Sequence, residues 1–119
     1  VQTLNEFRAR DIAVCMDDFG TGYSSLSYLH QFPVDILKVD KSFILNLNAR
    51  QSNPRDYEIV KAIINLALNL NLVVIAEGIE NHDVLVYLQK NKCQFGQGYY
   101  FAPALTTQGA TALLRRPPF

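Results

Sequence analysis

The chain has 119 residues, 11 Lys plus Arg balanced by 11 Asp plus Glu, and a hydrophobic fraction of 49% with 18% charged residues. That length holds one domain or part of one, and the apolar content at zero net charge excludes disorder, which needs low hydrophobicity and high net charge. With no basic run longer than Arg115-Arg116, neither a nucleic-acid polymer nor an anionic membrane is expected as a partner.

The longest mostly apolar stretch, Ile59 to Ile75, is interrupted by Lys61, Asn65, Asn69 and Asn71, so no membrane span is expected. Arg8, Arg10 and Asp11 break the start of the chain before an apolar signal core could form. Cys15 and Cys93 sit far apart in apolar runs and are expected to be buried free thiols in a reducing cytoplasm. The expectation is a soluble, cytoplasmic, globular piece.

In chain order, Leu4 and Phe7 look like the end of a helix, followed by a strand at Ile12–Met16. A short helix starts near Ser24 or Ser25 and stops before Phe32-Pro33. The second strand is Asp35–Val39, and the polar patch Asn46 to Asp56 reads as the longest loop. Asn53-Pro54 then supplies a capping side chain and a proline at the first helical position, with Asp56 and Glu58 in the first turn. Ile59, Val60, Ile63, Ile64, Ala67 and Leu70 make the apolar stripe of that helix. The third strand, Leu72–Ala76, reads as buried on both faces. A helix begins at Asn81 and carries Val84, Leu85 and Leu88 inward. The fourth strand is Gln94–Phe101, and a last helix runs from about Thr107 to Leu114, ending before Pro117-Pro118.

Strand and helix alternating four times is the pattern of right-handed βαβ units on a parallel sheet. The strand starts repeat about every 27 residues, against about 31 in a (β/α)8 barrel of ~250 residues. Four units make half a barrel. A doubly wound open sheet competes, but no strand is followed by Gly-x-Gly-x-x-Gly or by a Walker Gly-Lys-Ser/Thr.

Polar residues gather at the C-terminal strand ends, where parallel barrels place their sites. Strand one ends in Asp17-Asp18-Phe-Gly-Thr-Gly, strand two in Lys38-Val-Asp40-Lys41, strand three in Glu77-Gly-Ile-Glu80, and strand four carries Gln97 between glycines. Converging carboxylates repel unless a cation neutralises them. An all-oxygen set with no His or Cys at zinc spacing suits Mg²⁺, Mn²⁺ or Ca²⁺. A Lys among them can orient a water or stabilise charge on a substrate oxyanion.

Plainer roles compete at each position. A strand-end Asp is often a helix cap, and of Asp17 and Asp18 only one can point straight inward from an alternating strand. Lys41 can be half of a solvated charge pair. Gly20, Gly22, Gly96 and Gly98 can simply supply positive φ. Tyr99, Tyr100 and Phe101 read as core, and His30 and His82 as capping or solvated residues at helix ends. The joint occurrence of Asp-Asp, Lys, Glu and Gln at four successive strand ends favours a site. Asp18-Phe-Gly20 matches the kinase metal-binding tripeptide, but no His-Arg-Asp loop or Val-Ala-Ile-Lys strand accompanies it.

Asp17-Asp-Phe-Gly-Thr-Gly-Tyr-Ser-Ser-Leu26, Leu37-Lys-Val-Asp-Lys-Ser-Phe43, Ala76-Glu-Gly-Ile-Glu80 and Gln97-Gly-Tyr-Tyr-Phe101 resemble, in order, motifs of the EAL domain, the bacterial cyclic di-GMP phosphodiesterase barrel. The resemblance implies an α/β fold, the last four βα units of a TIM-like (β/α)8 barrel. Residues 1–119 would be a partial EAL domain without the N-terminal half, since the Glu-Ala-Leu signature, its arginine, and the Asn and Glu of the next two family strands are absent. Ala104 stands where the family often has proline, with Pro103 one place earlier.

By motif, the resemblance implies that Asp17 bridges two divalent ions, Mg²⁺ or Mn²⁺, with Asp18 and Glu77 on the second ion or its water. Lys38 would hold or activate the attacking water, Asp40 and Glu80 would orient that lysine, and Gln97, Gly98 and Phe101 would contact substrate. Phe19, Gly20, Thr21, Gly22, Tyr23, Ser24 and Ser25 would form a regulatory loop coupling metal binding to a homodimer contact through the helix that follows. The implied activity is hydrolysis of cyclic di-GMP to the linear dinucleotide by the complete domain, this segment alone being inactive and pairing with its missing half or a second copy. The rival readings are a non-catalytic module that binds cyclic di-GMP or a protein, and, from barrel logic alone, an enolase-like enzyme with a Lys base and carboxylate-bound Mg²⁺.

Overall fold

Four parallel strands, β1 (Cys15–Phe19), β2 (Ile36–Val39), β3 (Val73–Glu77) and β4 (Phe95–Gln97), lie side by side in chain order in one sheet. The computed structural model describes residues 1–22, 25–48 and 53–117. Helices α1 (Gln2–Arg8), α2 (Ser25–Gln31), α3 (Lys41–Asn48), α4 (Pro54–Asn69), α5 (His82–Lys90) and α6 (Thr107–Arg115) precede, link and follow the strands. Every crossover steps one strand further in the same direction. A doubly wound sheet reverses its strand order at a switch point, whereas a barrel wall does not.

The core lies on one side of this wall. Leu37, Val39, Val74 and Ala76 are fully buried against Val60, Ile64 and Ala67 of α4, Ile44 and Leu47 of α3, and Val84 and Leu88 of α5. Burying side chains of this size is worth about 1.5–3 kcal/mol each for Val, Leu and Ile. Because strand residues alternate faces, Lys38 and Glu77 stand on the opposite, open side. The third strand is therefore fully buried on one face only. Its other face, with Val73 and Ile75, is half-buried.

The helix punctuation follows local chemistry. Asn53 accepts the Arg55 N–H at 3.0 Å ahead of Pro54, and Asn81 accepts the Val84 N–H at 2.9 Å. Thr106 accepts the Gly109 N–H at 3.2 Å to open α6. Asn71 and Lys92, with φ of 57° and 64°, turn the chain out of α4 and α5 in the left-handed region.

Several sequence expectations change. The first strand lies at Cys15–Phe19, three residues later than the apolar run Ile12–Met16, because pairing with β2 begins at Cys15 opposite Ile36. The fourth strand stops at Gln97: from Gly98 to Phe101 the chain turns over Ile79, with the Tyr100 N–H donating to the Ile79 carbonyl at 3.0 Å. The supposed loop from Asn46 starts inside α3, whose Ile44 and Leu47 fill the core. Cys15 is exposed and Cys93 half-buried, both as free thiols, so the expectation of two buried thiols fails: Cys15 stands on the open face of the sheet. Of Gly20, Gly22, Gly96 and Gly98, only Gly20 has a positive φ.

Candidate functional site

The C-terminal ends of the strands bring the candidate residues together through one irregularity. Met16 pairs with Leu37 but Phe19 with Val39, so β1 carries one more residue than β2 across Asp17-Asp18. Asp18 takes φ 53°, a left-handed conformation that Asp tolerates better than most residues. This bulge breaks the alternation that would have sent the two carboxylates to opposite faces. Ligand oxygens of Asp17, Asp18 and Glu77 all lie within 4.8 Å of one another.

Lys38 sits among these groups. Its Nζ donates to Glu77 Oε1 at 2.7 Å and to Asp17 Oδ2 at 3.4 Å. The Lys38 and Glu77 side chains are 19% and 17% exposed, against 56% for Asp17, so the tighter pair is also the better shielded. The hydrogen bond to Glu77, above all, raises the Lys38 pKa. So held, the Lys38 ammonium is a hydrogen-bond donor set beside the carboxylate cluster. The negative charge of Asp17 pushes the Asp18 carboxyl above its ordinary range, with burial and then Asp40 adding to it. Such mutual repulsion in an all-oxygen donor set is what a hard divalent cation relieves, so Asp17, Asp18 and Glu77 fit one.

The sequence expectation that Asp40 and Glu80 orient Lys38 is not what the geometry shows. Asp40 Oδ2 accepts the Ser42 N–H at 2.8 Å, capping α3, and hydrogen bonds from Ser42 hold the Asp40 pKa below its usual value. Lys38 is instead paired with Glu77 and Asp17. Glu80 and Asp40 both face a cleft of about 450 Å³ that also touches Asp18, Glu77, Gln97 and Gly98.

Gly98 is required by closeness. A Cβ there would collide with the backbone of Ile79, and the Gln97 carbonyl accepts the Gly78 and Ile79 N–H groups at 2.9 and 3.1 Å. Phe101 lies away from this cleft, in a separate apolar hollow beside Ile79, Leu85 and Leu88, with its ring edge-on to Tyr100. It is therefore not brought to Gln97's cleft. Tyr99, expected in the core, is 75% exposed and edges the cleft, together with Lys41 and Gly78. For Tyr99 the apolar run hid the turn after Gln97. For Gly78 the available signal was a glycine directly after the strand-end Glu77, and it has φ 87°.

In the loop after β1, Phe19 is buried, while Gly20 (φ 101°) crosses so close to Phe43 that a Cβ would stand 2.5 Å from the ring. Thr21 Oγ1 donates to the Asp18 carbonyl at 2.8 Å, tying the loop to the bulge. Gly22 is exposed, Tyr23 and Ser24 lie outside the described residues, and Ser25 begins α2.

The family model described as EAL domain matches residues 2–104. The chain belongs to the EAL domain family. It is 44% identical over 115 residues to the Pseudomonas aeruginosa protein named cyclic di-GMP phosphodiesterase NbdA, covering 97% of this chain and 14% of that relative. The crystal structure of the EAL domain of Mycobacterium smegmatis DcpA matches with a TM-score of 0.87 at 37% identity, over 97% of this chain and 50% of that one. The manganese/cy-diGMP complex of Klebsiella pneumoniae BlrP1 matches with a TM-score of 0.74 at 29% identity, over 86% of this chain and 25% of that one. The four-stranded parallel sheet is thus part of the longer TIM-barrel EAL domain. No helix among the described residues is long and apolar enough to cross a membrane.

Proposed function

We propose that this chain forms part of an EAL domain that, when complete, hydrolyses one phosphodiester bond of cyclic di-GMP to give the linear dinucleotide. The observation that carries this reading is Lys38, 2.7 Å from Glu77 and 3.4 Å from Asp17, beside the Asp17-Asp18-Glu77 carboxylate cluster. The names of NbdA and of the BlrP1 complex supply the substrate class.

In this reading Asp17, Asp18 and Glu77 would supply this chain's share of the ligands for two divalent ions, Mg²⁺ or Mn²⁺. Those ions, when bound, supply an activated water and neutralise the phosphate oxygens during in-line displacement. The Lys38 ammonium, held by Glu77, donates a hydrogen bond to the attacking water's oxygen and fixes its position, and it offsets charge on the phosphate. Glu80 and Asp40 add negative charge along the cleft, while Gln97 and Gly98 hold the substrate from β4. Phe101 acts indirectly, by packing behind Ile79 and Gly96.

The same proposal places the homodimer contact on the loop Phe19–Ser25 and α2. Its support is the apolar hollow between Phe19, Phe43, Ile59 and Ile63, at whose rim Leu26 is 64% exposed. Neither a nucleic-acid polymer nor a membrane contact is part of the proposal for this segment, which would work in the cytoplasm.

The test uses the purified full-length protein with Mn²⁺ or Mg²⁺ and cyclic di-GMP, followed by chromatography of the products. Metal-dependent appearance of the linear dinucleotide is expected. Tight binding by calorimetry without turnover would replace the enzyme by a binding module, and neither binding nor turnover would reject the substrate class.

A further inference from the structure

We infer that Asn48, the last residue of α3, is a positioning residue that fixes the segment Glu77–Glu80. The inference rests on the proposed function only for its kinetic consequence. One Asn48 side chain holds both ends of the link that follows Glu77. Its Nδ2 donates to the Gly78 carbonyl at 3.0 Å and to the Ile44 carbonyl at 3.1 Å, and its Oδ1 accepts from Asn81 Nδ2 at 2.9 Å. The amide has one sensible orientation, since a flip would set its oxygen against two carbonyls and its NH₂ against another NH₂. Asn81 is engaged in turn: its Oδ1 accepts the Val84 N–H at 2.9 Å as the cap of α5.

The geometry makes this clamp consequential. Glu77 ends β3, Gly78 reverses the backbone with φ 87°, Ile79 is anchored in the core at 1% exposure, and Glu80 emerges on the cleft. On the β4 side the segment is held by backbone bonds from Gly78 and Ile79 to the Gln97 carbonyl. On the α3 side the hydrogen bond to Gly78 comes from Asn48, beside the Lys41 backbone that packs under Gly78. Without that bond the Gly78–Ile79 peptide is held only on its β4 side, through the Ile79 N–H, and the backbone that follows Glu77 loosens along with the carboxylate that fixes Lys38. A displacement of about 1 Å in a supporting group can cost on the order of 100-fold in rate, and loss of a residue orienting a site ligand typically costs 10–100-fold.

The test compares wild type with Asn48→Ala, Asn48→Asp and Asn81→Ser in the full-length protein. Asn48→Asp keeps the acceptor for Asn81 but loses the donor to Gly78. Asn81→Ser keeps a capping oxygen for α5 but loses the donor to Asn48. Both Asn48 variants are expected to lower kcat at least about tenfold with KM within about twofold, and Asn81→Ser to lower it less. Hydrogen–deuterium exchange at Gly78 and Ile79 should be at least about tenfold faster in Asn48→Ala, at an unfolding midpoint that keeps the protein folded under assay conditions. Wild-type kcat in both Asn48 variants, or unchanged exchange at Gly78 and Ile79, overturns the inference. If the wild-type protein does not hydrolyse cyclic di-GMP, the functional proposal fails on its own, and the exchange result alone decides for or against the clamp.

Discussion

At the scale of single residues, Lys38 shows how environment assigns a role. A lysine is a general base only when its pKa is pushed down by burial or by like charge. Here the hydrogen bond to Glu77 acts in the opposite direction and raises the Lys38 pKa. In the complete domain, Lys38→Ala and Glu77→Ala are each expected to cut turnover at least ~100-fold with little change in far-UV circular dichroism, the loss typical of removing one electrostatic or proton-transfer contributor. Steady-state assays of the purified variants measure this, and near-wild-type hydrolysis by either would remove that residue from the mechanism. Asp17→Asn makes a shared anionic ligand neutral and should weaken Mn²⁺ binding. Isothermal titration that gives the wild-type isotherm would count Asp17 out as a ligand.

At the scale of elements, the bulge in β1 and the helix α3 shape the site more than any strand does. An alternating strand turns only one carboxylate of Asp17-Asp18 toward Glu77, and the extra residue before Phe19 brings both to it. α3 explains Asp40. As the cap of α3 it accepts the Ser42 N–H, so Asp40→Ala should destabilise the complete domain by about 1 kcal/mol while Asp40→Asn, another good cap, should cost far less. Urea titration of the two variants separates them, and equal losses would show that charge, not capping, dominates at this position. The helix was missed because Asn46 and Asn48 made the stretch look like a loop, although Phe43, Ile44 and Leu47 already had helical spacing. Apart from α3, the strand and helix order, the cap at Asn53 and the helix start at Asn81 were legible because their signals are local: a period, a proline, a capping side chain.

At the scale of the molecule, the core occupies one side of the sheet and the site sits on the other. β1 and β4 are both edges, each presenting unpaired backbone groups that can add a strand. Ile12, Phe95 and Leu114 are large apolar residues at least half exposed. A polypeptide of these 119 residues alone is therefore expected to associate, with itself or with a supplied partner half, and to lack cyclic di-GMP hydrolysis. Size-exclusion chromatography with light scattering checks the first expectation, and product analysis with Mg²⁺ checks the second. A well-behaved monomer of 13.4 kDa that turns over substrate would contradict both.

The sequence by itself determined the four βα units, the parallel sheet, and the set of polar residues at the strand ends, because hydrophobic period and chain punctuation are written in neighbouring residues. Only the tertiary structure decided which of those residues meet. It gave Lys38 to Glu77 and Asp17, turned Asp40 to the start of α3, moved Phe101 behind Ile79, and exposed Tyr99 on the cleft. Each of these outcomes depends on register, on a one-residue bulge, or on a turn. Such features shift side chains between the faces of a sheet without changing the local pattern from which a sequence is read.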